Sequence, residues 1–377
     1  MSGEFTVSRT REAMGRGGRL LRALHLDGPL LLGLSAIIAF GLFILYSALG
    51  GNMALWLRQV AGVAVALVAM VVLAQVPPRF IRMLTPLAYA GGILLLLAVA
   101  LFGDVSKGAQ RWLDLGFIRF QPSEIMKVAV PLMCAWYVHD RPLPPSLPHT
   151  AVVAILFLLP AAFIAEQPDL DTAMLVCASG FFVLLLGGLH GRWLALGAGL
   201  LAAAAPVAWH FLHDYQRQRI LTLLDPDSDP LGAGYHIIQS QIAIGSGGVF
   251  GKGWMNGSQA QLEFLPERST DFIFAVMGEE LGLLGQLTLV ALYVAVLGRA
   301  LYLAAQCNDT FGRLVSGSIA LTFFVYVFIN SGMVVGLLPV MGLPLPLVSY
   351  GGTSMVTLLA GFGILQGLHS HRKLVRS

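Results

Sequence analysis

Charge is scarce in this chain. Asp, Glu, Lys and Arg make up 11% of its 377 residues, against about 25% in an ordinary soluble domain. With 56% hydrophobic residues, no soluble fold of this length can hide the apolar surface, so a soluble enzyme is excluded. Cysteine is nearly missing. Cys134, Cys177 and Cys307 lie in or beside apolar runs at no metal-like spacing, which reads as reduced core residues rather than a disulfide framework or thiolate site. There is no strong excess of one sign either: a formal net charge of +3 speaks against nucleic acid as a partner. No internal repeat is visible, which weighs against inverted-repeat transporters. Nor is there a cleavable signal pattern, because the basic stretch Arg9 to Arg22 leads into a full-length span and not a short apolar h-region.

What is abundant is the long apolar run. Ten runs approach the roughly 17–25 residues that cross a bilayer as helix, at 29–50, 54–75, 84–102, 122–138, 150–166, 172–189, 193–212, 272–297, 314–336 and 346–368. The expected fold is an all-α polytopic membrane protein with both termini on one side. Residues 1–28 form a basic tail, 29–368 one ten-helix domain, and 369–377 a second basic tail. Basic residues gather on the side of the termini (Arg9 to Arg22, Arg79, Arg82, Arg141, Arg192, Arg299, Arg313, Arg372 to Arg376). By the positive-inside rule that side is cytoplasmic. The loop at about 103–121 and the long loop 213–271 then face outward. A connection of that second length is usually functional or disordered; its Gly-rich turns and apolar pairs predict short amphipathic pieces on the membrane surface. The Pro-rich stretch 141–145 reads as a stiff cytoplasmic connector.

Several polar residues sit where charge is costly. Asp271 closes the long outer loop and is followed at once by the apolar run 272–277. Such a boundary gives a carboxylate water on one side and a low-dielectric wall on the other, which suits a general base by raising its pKa. Ser269, Thr270 and Asp271 are also all good helix caps, and capping alone explains an aspartate there. Glu279 and Glu280 lie about two turns deeper, at roughly 12 Å along a helix axis, and form no obvious dyad with Asp271. Glu124 and Lys127, three apart, share a helix face as an ion pair or as a charged cavity wall. Asp169, after Gln167-Pro168, is a cap or a site residue, and the face taken by Asp171 is ambiguous. Lys107, Arg111, Arg119, Arg217, Arg219, Lys252 and Arg268 are outward cations for anionic membrane lipids, or for a diphosphate if they converge. Trp112 is an interfacial anchor or a sugar-stacking platform. The breaker-rich segment 336–346 predicts a re-entrant or broken connection buried in protein, and the Gly351-Gly352 pair after Ser349 allows close backbone approach.

These stretches resemble the SEDS family of bacterial cell-envelope proteins. The likeness is carried by 106–116 (SKGAQRWLDLG), 121–127 (QPSEIMK), 167–170 (QPDL), 238–240 (IQS) with 242–247 (IAIGSG), 251–254 (GKGW), 264–268 (FLPER) with 270–274 (TDFIF), and 338–353 (LPVMGLPLPLVSYGGT). It runs from the first span to the C-terminus. The resemblance implies a ten-helix peptidoglycan glycosyltransferase that polymerises lipid II on the outer face of the cytoplasmic membrane. The wording of 106–116 and 251–268 favours cell elongation over division. It implies as partners lipid II, the nascent glycan strand, a class B penicillin-binding protein (the crosslinking transpeptidase), and the elongation-complex proteins MreC, MreD and RodZ. The family's proposed catalytic aspartate maps onto Asp271 and its important membrane charges onto Glu124, Lys127 and Asp169. Lys107, Arg111, Trp112, Gln121, Arg268, Thr270 and Ser349 are the expected substrate contacts. Two departures stand out: Ser269 where relatives often carry histidine, and Asp171 where glycine is usual.

The expected chemistry is attack by a sugar 4-hydroxyl on the anomeric carbon of a donor linked to lipid diphosphate, with Asp271 taking the proton. Diphosphate is a good leaving group once its charge is countered. The cations, or a divalent ion such as Mg2+ or Mn2+, supply that counter-charge; no cofactor is otherwise expected. Two other classes remain open at this stage, a lipid II flippase and a scaffold for the crosslinking enzyme.

Overall fold

The structure, a computed structural model, describes residues 21, 23–106, 109–114, 119–211, 214–229, 232–262 and 264–371. It is helical nearly throughout. In chain order the helices are α1 (Gly28–Ala48), α2 (Met53–Ala74), α3 (Pro78–Phe102), α4 (Pro122–Val138), α5 (Leu147–Glu166), α6 (Leu170–Leu186), α7 (Gly191–Phe211), α8 (Asp214–Leu224), α9 (Ala233–Gly247), α10 (Ser258–Gln261), α11 (Ile273–Ala305), α12 (Thr310–Val334) and α13 (Gly352–Ser370). Six of them, α1, α2, α3, α5, α11 and α12, are long and apolar enough to cross a membrane. The other expected runs overlap α4, α6, α7 and α13; the last helix starts at Gly352 rather than 346, because Pro346 and the non-helical dihedrals of Gly351 keep 346–351 irregular. Many large apolar side chains, among them Leu32, Leu87, Leu101 and Val294, stand exposed, as a lipid-facing surface requires.

Local chemistry sets several helix ends. Asp27 caps α1 by accepting the Leu30 N–H at 3.0 Å, and Asn52 caps α2 by accepting from Ala54 and Leu55. Proline opens α3 and α4, where its missing N–H costs nothing. Two apolar clusters form the interior. One joins α1, α2, α11 and α13; the other joins α3 to α6 with the start of α12. Ile319 of α12 packs against both. Cys134 and Cys307 are buried thiols and Cys177 is half-buried, all three free.

Two connecting segments carry structure of their own. The 103–121 loop holds a small antiparallel sheet, β1 (Asp104–Ser106), β2 (Ala109–Asp114) and β3 (Arg119–Phe120), with Asp104 opposite Trp112 and Leu113 opposite Phe120. The long loop is bolted onto α11. Gly247, at the end of α9, approaches α11 so closely that a Cβ there would lie 2.0 Å from the Gly278 carbonyl oxygen. The buried Glu279 carboxylate accepts from Lys252 Nζ at 2.7 Å, Ser258 Oγ at 3.1 Å, and the Gln259 and Ala260 N–H groups at 3.0 and 3.3 Å. Ser47 of α1 donates to Glu280 Oε1 at 2.5 Å. Just beyond, α11 breaks at Gly282, whose φ of 66° suits glycine alone. The net effect fixes the first turns of α11, and hence the Asp271 turn before them, to the outer loop and to α1.

The 336–346 segment is irregular, as expected, but only its end is buried: Leu337 is 73% exposed and Gly342 is exposed. Leu343, Leu345 and Leu347 are 1–3% exposed, and Val348 packs against Gly41 of α1, where a Cβ would meet its Cα at 2.7 Å.

Candidate functional site at the head of helix α11

Asp271 is half-buried in the turn that precedes α11. Three contacts hold that turn. The Asn330 side chain of α12 donates to the Asp271 carbonyl at 2.9 Å and to the Leu343 carbonyl at 2.6 Å. Ser349 Oγ donates to the Thr270 carbonyl at 2.5 Å while accepting the Leu345 N–H at 2.7 Å. The Tyr350 N–H donates to the Ser269 carbonyl at 2.8 Å. Thus the breaker segment is the back wall of the turn. Ser349 is 3% exposed, and its hydroxyl clamps backbone rather than facing open space. Thr270 turns its hydroxyl to Glu267, donating to the carbonyl at 3.1 Å and to Oε2 at 3.0 Å. On the other side, the His236 ring of α9 stacks on Phe272 with centroids 5.5 Å apart. Burial holds that imidazole below its ordinary pKa, against the pull of Glu267 and Asp229.

A second polar group lies at the N-terminal end of α6. Asp169 caps that helix through the Thr172 N–H at 3.3 Å. Gln121 donates to its Oδ2 at 3.1 Å, and Arg111 stands 3.8 Å away while also donating to the Gln167 and Pro168 carbonyls. Burial dominates and raises the Asp169 carboxyl despite Arg111 and Lys127. Cap and charge network are therefore one arrangement. Gln121 and Arg111 hold protein groups here, and Trp112 is half-buried on β2. Lys107 lies outside the described residues.

Third, Lys127 Nζ of α4 donates to Glu124 Oε1 at 2.7 Å and to the Tyr326 hydroxyl at 3.1 Å, with Ser354 of α13 3.3 Å beyond. Both charges are under 10% exposed. With Thr322 and Thr357 these groups line a cavity among α4, α12 and α13, where Glu124 Oε2 and Thr322 Oγ1 are buried without a partner. The ion pair and the cavity wall, alternatives from spacing alone, occur together.

Each of the cations singled out in the sequence whose side chain is described is bound to protein groups; Lys107 lies outside the described residues, as does the Arg119 side chain. Arg111 is tied to 167–169, Arg217 to Asp214 and the Trp209 and His210 carbonyls, Lys252 to Glu279, and Arg268 to the Ala260 carbonyl. Arg219 pairs with Asp171 beside the Asp271 turn. Among the described residues no three His, Cys, Asp or Glu side chains are grouped to hold a metal ion. Sequence reading missed His236, Asn330, Tyr326 and the Asp171–Arg219 contact; each partner lies far away in the chain, and no local spacing announces it.

Residues 24–374 match the family model for cell cycle proteins of the FtsW, RodA and SpoVE type. The chain belongs to that family. It is 55% identical over 353 residues to the peptidoglycan glycosyltransferase MrdB of Escherichia coli K12, covering 93% of this chain and 95% of that one. It is 42% identical to the MrdB of Helicobacter pylori 26695 over 75% of each chain. A chain from a solved peptidoglycan synthase complex, described as coordinating polymerization and crosslinking, superposes with a TM-score of 0.80 at 36% identity, covering 91% of this chain and 97% of that one. The rod shape determining protein RodA of Thermus thermophilus superposes at 0.70 with 31% identity, covering 91% and 96%.

Proposed function

We infer that this chain is a peptidoglycan glycosyltransferase of the elongation type, polymerising lipid II into β-1,4 glycan strands at the outer face of the bacterial cytoplasmic membrane. The observation that carries the reading is the likeness over nearly the whole chain to proteins named for that activity, joined to a half-buried aspartate in a turn held from three sides. Such holding is what a base needs if it is to meet its substrate without reorganising.

In the proposed reaction the acceptor 4-hydroxyl oxygen bonds to the donor anomeric carbon as the bond from that carbon to the diphosphate oxygen breaks. The hydroxyl proton passes to the Asp271 carboxylate. The diphosphate leaves with its lipid, and direct displacement inverts an α-linked donor to a β linkage. Glu124, Lys127 and Asp169 act at a distance by fixing α4, α6 and α12. Counter-charge for the diphosphate comes from outer cations, with or without a divalent ion such as Mg2+ or Mn2+, to which no step is assigned. A class B penicillin-binding protein is the proposed crosslinking partner, consistent with the synthase complex whose chain this one resembles. The orientation, with Asp271 outside, follows from the distribution of basic residues.

Purified protein mixed with lipid II in detergent tests the reading. Glycan polymer is expected; movement of lipid II across vesicle membranes without polymer would instead favour a flippase.

A further inference from the structure

Three segments distant in the chain meet beside Asp271. Asp171, in the first turn of α6 and 4% exposed, accepts from Arg219 Nη1 of α8 at 3.1 Å on Oδ1 and 3.3 Å on Oδ2. The same Oδ2 accepts the Gly342 N–H of the breaker segment at 2.9 Å. A Cβ placed on Gly342 would lie 3.7 Å from Asp171 Oδ2 and 4.0 Å from Asp271 Oδ2. The two carboxylate oxygens are therefore within about 8 Å of each other, no farther than the screening length of physiological salt.

We propose that Asp171 and Arg219 form a charge-compensated latch, which docks helix α8 beside the Asp271 turn and keeps the acid limit of polymerisation from being displaced by either charge alone. Both are positioning residues: they act on Asp271 and on the segment behind it, not on the sugar. The proposal rests on the reading of Asp271 as the base.

The physical reasoning is direct. A carboxylate this close opposes ionisation of Asp271, and a guanidinium favours it. Paired, they nearly cancel. The pair also ties an outer-loop helix to the wall of the Asp271 turn, so α8 cannot leave without stranding a buried carboxylate. Charged or titratable groups on the elements that hold the turn include Glu267 and Arg268 on its own loop, His236 on α9, and Tyr350, whose N–H binds the Ser269 carbonyl. Asn330 of α12 and the 336–351 segment contribute uncharged groups to the turn.

The test is the pH profile of lipid II polymerisation by full-length protein carrying R219Q, D171N, both, or R219K. A unit charge at about 8 Å, with an effective dielectric between 20 and 80, corresponds to a shift of about 0.4–1.5 pH units. D171N is expected to move the acid limb downward by an amount in that range, and R219Q to move it upward. The double variant and R219K should lie near wild type. Thermal unfolding of each variant separates loss of fold from change of charge, and the double and R219K variants remain informative if a single one fails to fold. An acid limb unmoved in both single variants, or moved in the same direction by both, would overturn the proposal. D271N assayed alongside keeps the two claims apart: polymer from that variant refutes the base itself, whereas an inactive D271N with an unmoved limb in the others refutes the latch alone.

Discussion

Replacing Lys127 by methionine strands Glu124 in the interior. The two charges are 2.7 Å apart, 8% and 6% exposed, and the second Glu124 oxygen has no partner. At an effective dielectric of about 20, attraction at that distance is roughly 6 kcal/mol. Removing two ions from water costs several kcal/mol each, so the intact pair contributes little net stability. Breaking it is another matter. Leaving one buried charge alone costs about 3–5 kcal/mol, and here it also removes the ammonium that joins α4 to Tyr326 of α12. Lys127→Met should therefore destabilise the protein by about 3–5 kcal/mol, while Glu124→Gln with Lys127→Met should recover most of that loss. Unfolding in mixed micelles, run as a double-mutant cycle, measures both, and polymerisation should follow the same order. If the single variant proves no less stable than the double, the view of this pair as a closed electrostatic unit is wrong.

Two further outcomes follow from the same contacts. Ser349→Ala leaves the Thr270 carbonyl and Leu345 N–H without their shared partner, at a cost of about 1–3 kcal/mol; kcat should fall with KM little changed, and an unaltered kcat would remove Ser349 from the positioning of Asp271. At the N-terminal end of α1, burial raises the Asp27 carboxyl, but hydrogen bonds from Arg299 at 2.9 and 2.7 Å and from Leu30 outweigh it and leave its pKa lowered. A lowered folded-state pKa gives stability that is present above the ordinary value of 3.8 and is lost as pH falls through the folded value. The wild-type melting temperature should therefore drop below about pH 4 more steeply than that of Asp27→Asn, and parallel curves would contradict this.

The membrane helices were legible because an apolar run of span length has few alternatives. Boundaries drifted where polar residues extend a helix past its apolar part: α3 starts at Pro78 rather than 84, and α11 runs on to Ala305 rather than 297. The strands of the 103–121 loop were not legible, because runs of only two to six residues, each carrying charge, show no clear period-2 pattern. The part Glu279 and Glu280 play in clamping the 213–271 loop and α1 needs partners, Lys252 and Ser47, that lie 27 and 233 residues away in sequence. Spacing does reach Glu124–Lys127, one helix turn apart. Tyr326, Asn330 and the Asp171–Arg219 latch depend on how separate helices pack, and one sequence does not encode that in any local signal.

The central claim is that the Asp271 carboxylate removes the acceptor proton. Its most direct test is glycan polymer formed from lipid II by purified Asp271→Asn, with folding checked by thermal unfolding and binding to the crosslinking partner measured in parallel. A folded, partner-competent variant that makes no polymer is the expected result. Glycan strands of normal length and rate from that variant would contradict the account.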